Sequence, residues 1–243
     1  MSFTVKSFIF NDIKIEQNYF NKNAYSNFLV SGTIATKIVN KLKKYNCYHL
    51  TENVNYALGI VTGNNKEYLL TEQKNNAELI ICGKDISKYK MDYSKIKNYI
   101  DFEKDKFQQV AKEDFYRCKN KIIYKFIGKK LCFSVEKKGI LTLNSANLIC
   151  FENNINLNFI SAVLNSRITQ LYFDESYNTH KVLKKHIQSF YIPIFPNNIV
   201  NKINNLVETS IPPLSYNEAV EDIIYSQLNL SIDEVKYLKK RYN

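Results

Sequence analysis

Few residues in this sequence are grouped as a reaction would require. Cys47, Cys82, Cys118, Cys132 and Cys150 stand singly, with no CxxC pair, beside only three histidines, His49, His180 and His186. A zinc site wants clustered ligands and a disulfide framework wants pairs. The thiols are therefore expected to be reduced and mostly buried, in a cytoplasm. Gly128-Lys129-Lys130 lacks the first glycine and the hydroxyl residue of a phosphate-cradling P-loop. No GxGxxG is present to hold an adenosyl cofactor. The only Pro-Pro, in Ile211-Pro212-Pro213-Leu214, lacks both the preceding Asn or Asp and the following aromatic residue of an amino-methyltransferase site. Glu234-Val235-Lys236 has the Glu-x-Lys spacing of a metal-dependent nuclease but no upstream Pro-Asp partner, and the spacing is common by chance in a lysine-rich chain. His180 and His186 fit phosphate contact or plain surface exposure better than service to a serine or cysteine nucleophile. No catalytic residue and no metal ligand emerges, so the chain is not expected to be an enzyme.

What remains is binding chemistry. Lys and Arg number 34 against 23 acids, a net charge of +11, and a surplus of that size favours polyanions, nucleic acid ahead of membrane. The charge is uneven. Arg117 to Lys130 holds six basic residues, 117, 119, 121, 125, 129 and 130, with Tyr124 and Phe126 interleaved and no acid. Asn178 to Phe190 holds three lysines and two histidines, again without an acid. Phosphate contact and a solvated lysine face kept for solubility both fit such segments, with phosphate contact favoured. A third group is Thr62-Gly63-Asn64-Asn65-Lys66, a polar tip between apolar runs, where two of six glycines, Gly59 and Gly63, fall close together. Gly and Asn tolerate left-handed backbone, so strand–turn–strand is the expected local structure.

The elements that must position these groups are legible as pattern. Phe3 to Ile15 partly alternates, as one or two strands would. Ser31 or Thr33 is placed to cap a helix with Ile34, Ile38, Val39 and Leu42 on one face. Leu79 to Cys82 reads as a buried strand before a turn at Gly83-Lys84. Three apolar runs after Lys121, separated by Gly128-Lys129-Lys130 and Lys137-Lys138-Gly139, predict a β-meander. Phe159, Val163, Ile168, Leu171 and Tyr172 lie close to one stripe and predict a helix. Tyr191 to Phe195 is expected as an edge strand, since Pro193 has no N–H to give. After Pro196 the pattern is helical, broken at Pro212-Pro213. The expectation is an α+β fold with mixed and antiparallel sheet and packed helices over 1–196, followed by a C-terminal helical tail over 197–243. No apolar run reaches the ~20 residues of a membrane span, and the N-terminal stretch has no apolar core of the kind an export signal needs.

In their order, "LGIVTGNNKEYLL", "ICGKDISKYK", "KIIYKFIGKKLCFSVEKKGILTLNSANLI", "FISAVLNSRITQLYF" and "LKKHIQSFYIPI" resemble the TaqI-like C-terminal specificity domain, and the tail "EAVEDIIYSQLNLSIDEVKYL" is similar to the helical end that often closes such proteins. That domain is the target recognition domain of adenine-N6 DNA methyltransferases and fused type II restriction–modification enzymes. The resemblance implies a module that grips double-stranded DNA and reads bases, with S-adenosylmethionine and Mg belonging to a catalytic partner or missing domain rather than to this chain. It implies that the tip, Thr62, Asn64, Asn65 and Lys66, faces a groove, where Asn can pair with adenine and Lys can reach guanine. It also places Asn178, His180, Lys181, Lys184 and Lys185 near bases or phosphates. Arg117, Lys119, Lys121, Lys129 and Lys130 join these as candidate DNA contacts, the first three with solvent exposure equally open. Asn144, Ser145, Asn165 and Ser166 are expected to hold strand and helix ends by local hydrogen bonds. An excised domain, a separate specificity subunit and a split-gene remnant all fit a chain without the methyltransferase half. The competing reading is a protein–protein adaptor that docks a DNA methyltransferase through the helical tail.

Overall fold

The computed structural model describes residues 7–10, 13–16, 33–74, 76–153, 155–210 and 216–243. Within them the strands and helices are β1 (Ser7–Phe10), β2 (Ile13–Glu16), α1 (Ile34–Lys44), β3 (Cys47–Tyr48), β4 (Val54–Ala57), α2 (Asn65–Tyr68), β5 (Leu69–Leu70), β6 (Glu78–Ile81), β7 (Tyr89–Lys90), β8 (Tyr99–Ile100), α3 (Glu113–Arg117), β9 (Lys121–Lys125), β10 (Phe133–Glu136), β11 (Leu141–Thr142), β12 (Ala146–Phe151), α4 (Leu157–Asn165), α5 (Arg167–Ser176), α6 (Lys184–Ile187), β13 (Ile192–Pro193), α7 (Asn197–Thr209), α8 (Glu218–Gln227) and α9 (Ile232–Arg241). The fold is α+β. A five-stranded sheet runs β4-β12-β9-β10-β7, antiparallel except where β7 lies parallel to β10. A four-stranded sheet runs β11-β6-β8-β5, with β11 parallel to β6. The Phe3–Ile15 alternation contains the antiparallel pair β1–β2. The Ser31 cap and the Pro212-Pro213 breaker lie outside the described residues.

The five-stranded sheet is buried on both faces, and period two decides which side chain goes where. Ile122, Tyr124, Phe133, Val135, Ile149 and Phe151 point into a core shared with the helices. Ile123, Leu148 and Cys150 point the other way, into a second core with Ile80, Ile81, Ile100 and Leu141 of the smaller sheet. The helical core also takes Ile203 and Val207 of α7, Val220 and Ile224 of α8, and Leu238 of α9. The helices after Pro196 thus share the core of the residues before it. α1 is capped by Thr33, whose Oγ1 accepts from Thr36 N at 3.1 Å, and it buries Ala35, Ile38, Val39 and Leu42.

Three local expectations are corrected. The runs after Lys121 are not a meander: β12 returns to the far side of β9, and β11 leaves to join β6 in the other sheet. The stretch 56–70 is not a hairpin, because β4 pairs with β12 while Leu69–Leu70 pairs with β8, and a single helical turn, α2, lies between. Gly63 does take a left-handed φ of +83°, but Gly59 serves close packing: a Cβ there would lie 2.1 Å from the Leu143 carbonyl oxygen. The helix expected over 159–172 is two helices. Ser166 sits between them at ψ 153°, and its hydroxyl accepts from Thr169 N to cap α5.

Candidate nucleic-acid interface

The loop residues converge at one end of the five-stranded sheet. Ile60 N donates to Thr142 O at 2.7 Å and Ile60 O accepts from Asn144 N at 2.9 Å, fixing the run into the 62–66 tip beside the 142–145 turn. Ser145 O accepts from Phe126 N at 3.1 Å, which joins that turn to the β9–β10 loop. Gly128 N donates to His180 O at 3.0 Å and Val182 N to Phe126 O at 2.8 Å, which joins that loop to 178–185. Backbone hydrogen bonds therefore tie three of the predicted loops into one rim. From it Asn64, Asn65, Lys66, Lys129, Lys130, Asn178, His180, Lys181, Lys184 and Lys185 reach solvent, as does Ile127, 60 % exposed.

A cleft of about 540 Å³ opens beside the β9–β10 loop, lined by Lys84, Lys88, Lys95, Lys125, Lys129 and Lys130 together with Ile86, Ile127 and Cys132, and by no acid. Crowded cations with low-dielectric walls focus a positive potential where a phosphate backbone could lie. Four of these lysines, 84, 88, 95 and 125, were not among the candidates. The first three come from a segment joined to β10 by the parallel β7 contact, a pairing without a local sequence signal. Asp85, just beneath, is buried and accepts from Cys82 N at 2.8 Å, with burial raising its carboxyl pKa.

Three candidates are corrected by their surroundings. Lys121 is 0 % exposed: it faces Glu136 across the β9–β10 ladder with Nζ 3.1 Å from Oε2, and it donates to the carbonyls of Ile140 and Tyr116. Its side chain is out of reach of solvent. Thr62 is buried, and its hydroxyl donates to Asn65 Oδ1 at 2.7 Å, shaping the tip from within. The Arg117 fork is held by Glu78 at 2.5 and 2.7 Å and by Glu113 at 3.2 Å. Arg117, Lys119 and Lys121 also lie at the opposite end of β9 from the cleft, a separation of about 13 Å along a five-residue strand. The acid-free run 117–130 is one segment in sequence and two ends of a sheet in space. Lys119 is exposed there, beside a hollow lined by Asn156, Asn158, Asn204, Asn205 and Glu208.

Other motifs prove structural. His186 is buried, stacks on Tyr177 at 4.1 Å and accepts from Leu183 N, and burial lowers its pKa. Glu234 closes a capping box with Ser231 and pairs with Lys41 at 2.6 Å, so Glu-x-Lys here starts a helix. Asn165 works both locally and over a distance: its amide donates to Ser161 O at 2.8 Å at the end of α4, and it brackets Phe133, donating to the carbonyl at 2.7 Å and accepting from the N–H at 3.0 Å. Ser145 likewise accepts from Gly83 N at 2.9 Å, across the sheets. Among the described residues no three of His, Cys, Asp and Glu lie together as metal ligands, and no helix is long and apolar enough to cross a membrane.

Residues 78–196 match the TaqI-like C-terminal specificity domain. This specificity segment contains the whole cleft and the 178–185 loop, while β4 and the 62–66 tip precede it. No curated protein matches the chain. Among solved structures, the type IIG restriction endonuclease BpuSI aligns with a TM-score of 0.56 at 11 % identity, over 93 % of this chain and 34 % of its own. That likeness shows the fold. The HsdS subunit from Thermoanaerobacter tengcongensis aligns with a TM-score of 0.46 at 10 % identity, over 85 % of this chain and 48 % of its own. A type I R-M system structure aligns with the same score at 13 % identity, over 82 % and 43 %. The chain carrying the specificity segment thus spans less than half the length of each of these proteins.

Proposed function

We propose that this chain is the double-stranded DNA recognition part of a restriction–modification enzyme, sequence-specific and without catalytic activity of its own. The observation that carries the reading is the acid-free lysine cleft, continuous through backbone hydrogen bonds with the 178–185 loop and the run into the 62–66 tip, inside and beside a segment that matches a specificity domain. The lysines of the cleft and Lys181, Lys184 and Lys185 hold the backbone by charge. Asn64, Asn65, Lys66 and Asn178 read base edges, the amides towards adenine and Lys66 towards guanine. S-adenosylmethionine and Mg belong to a methyltransferase or restriction domain or subunit that completes the enzyme, and the complex works in the cytoplasm. The test is titration of a fluorescent duplex pool at low salt, repeated at rising salt and followed by selection and sequencing of the bound fraction. Binding whose logarithm falls linearly with log salt, with an enriched motif, supports the reading. Binding without enrichment removes sequence specificity, and the absence of binding at low salt removes the DNA reading.

A further inference from the structure

Lys88 lines the floor of the cleft and is 7 % exposed, the most buried of its six lysines. Its Nζ donates to the Asn165 carbonyl at 3.1 Å and lies 4.1 Å from the centre of the Tyr216 ring. Among the described residues it forms no ion pair. Two more cations share that ring: Arg167, with its guanidinium carbon 4.2 Å from the ring centre, and Lys130 at 5.9 Å. Arg167 donates through Nη2 to Glu218, but its Nε and Nη1, both buried, have no partner among the described residues. The backbone is strained at the next position, since Tyr89 holds φ +72°, a region an aromatic residue rarely enters. That turn is locked by Ser161 Oγ donating to Tyr89 O and by Asn217 N donating to Tyr89 Oη. A fold that needed only packing here would place an apolar side chain at 88. Instead, strain and a buried charge coincide at the base of a cleft with no acid in its lining, where a ligand phosphate would add a counter-charge from the open side.

Building on the DNA reading above, we propose that Lys88 anchors one phosphodiester group of the bound backbone at the cleft floor, with Lys129 and Lys130 on the rim above it. The groups facing Lys88 are Cys132, Glu221, Lys130, Arg167 and Tyr216. Burial, joined by Lys130 and Arg167 and opposed by Cys132 and Glu221, brings the Lys88 ammonium down to about 8. A phosphate would hold it charged.

The full chain and its Lys88→Met variant are titrated with the same duplex at several salt concentrations, at pH 7 and pH 9, and both are melted. The variant is expected to bind about tenfold more weakly, with a salt slope smaller by about 0.9 and a melting midpoint equal to or above that of the parent. The parent, but not the variant, weakens as pH rises through 8. If the Met variant melts early, Lys88→Gln, which keeps a donor towards Asn165, is measured in its place. Should the parent bind DNA while the variant matches its affinity, slope and pH profile, Lys88 is a packing residue and the anchor is overturned while the DNA reading stands. If the parent fails to bind, both fall.

Discussion

Replacing Lys121 by Met separates a lysine that holds the fold from the lysines that face solvent. Lys121 and Glu136 are both fully buried and opposite each other in the β9–β10 register, 3.1 Å apart. Glu136 in turn accepts from the backbone N–H groups of Lys138, Gly139 and Ile140 at 2.6, 3.0 and 3.2 Å, and from Tyr93 Oη at 3.2 Å. The pair therefore pins the turn that sends β11 into the second sheet. Met keeps the length and the apolar stem, but it leaves a buried carboxylate without its counter-ion and two carbonyls without a donor. Breaking a buried pair in this way costs about 3–5 kcal/mol, a large part of the roughly 5–15 kcal/mol that holds a domain folded. The melting midpoint should fall by about 10 °C for a chain of this size. Urea unfolding should show a lower midpoint at unchanged slope. At a temperature where the variant stays folded, its DNA affinity and salt slope should equal those of the parent. Parent-like stability combined with a salt slope reduced by about 0.9 would refute the reasoning, because it would make Lys121 a phosphate contact.

Other outcomes follow from the same geometry. Lys129→Ala should leave the melting midpoint unchanged and reduce the salt slope of DNA binding by about 0.9, whereas Arg117→Ala, whose fork is spent on Glu78 and Glu113, should leave the slope alone. Glu221 is fully buried and burial raises its carboxyl to about 7, opposed by Tyr225, Arg167 and Lys88. The folded chain thus holds that proton more tightly than the unfolded one. Stability from this group is complete below pH 4.5 and is lost as pH rises to about 7, by about 3 kcal/mol. Urea midpoints compared at pH 5 and 7.5 should show the loss, and Glu221→Gln should flatten it. Deleting 197–243 removes Ile203, Val207, Val220, Ile224, Leu228 and Leu238 from the helical core, about 10 kcal/mol of burial at 1.5–3 kcal/mol each. The truncated chain should lose its cooperative melt, and a folded truncation would show that the helices are dispensable.

The elements were legible where one chemical period runs uninterrupted. Ile38, Val39 and Leu42 recur at helical spacing beside a Thr cap, and α1 forms there. Residues 122–124 and 148–151 are apolar throughout, because both faces of their sheet are covered. Pairing was not legible. The β9–β10 turn is local, but β12 chooses β9 over β10, and β11 chooses β6, through contacts of long sequence separation. The split between α4 and α5 was hidden because the apolar stripe continues across it. Only the Ser166 hydroxyl, capping one helix at the end of the other, marks the break.

For the interface, counting charges along the chain located loops and missed geometry. A lysine in a strand next to a basic loop looks the same in sequence whether its Nζ meets water or a buried carboxylate, and Lys121 and Lys125, at the two ends of β9, show both outcomes. What separates them is the partner strand: β10 brings Glu136 opposite Lys121 and Cys132 beside Lys125. Lys84, Lys88 and Lys95 were unremarkable as isolated lysines between a strand and polar loops. They become half of a cleft because β7 lies parallel against β10. A parallel contact of two residues is too short to announce itself, yet it sets which cations share a wall. The charge surplus of this chain gains its meaning from where the β7 edge of the five-stranded sheet gathers it.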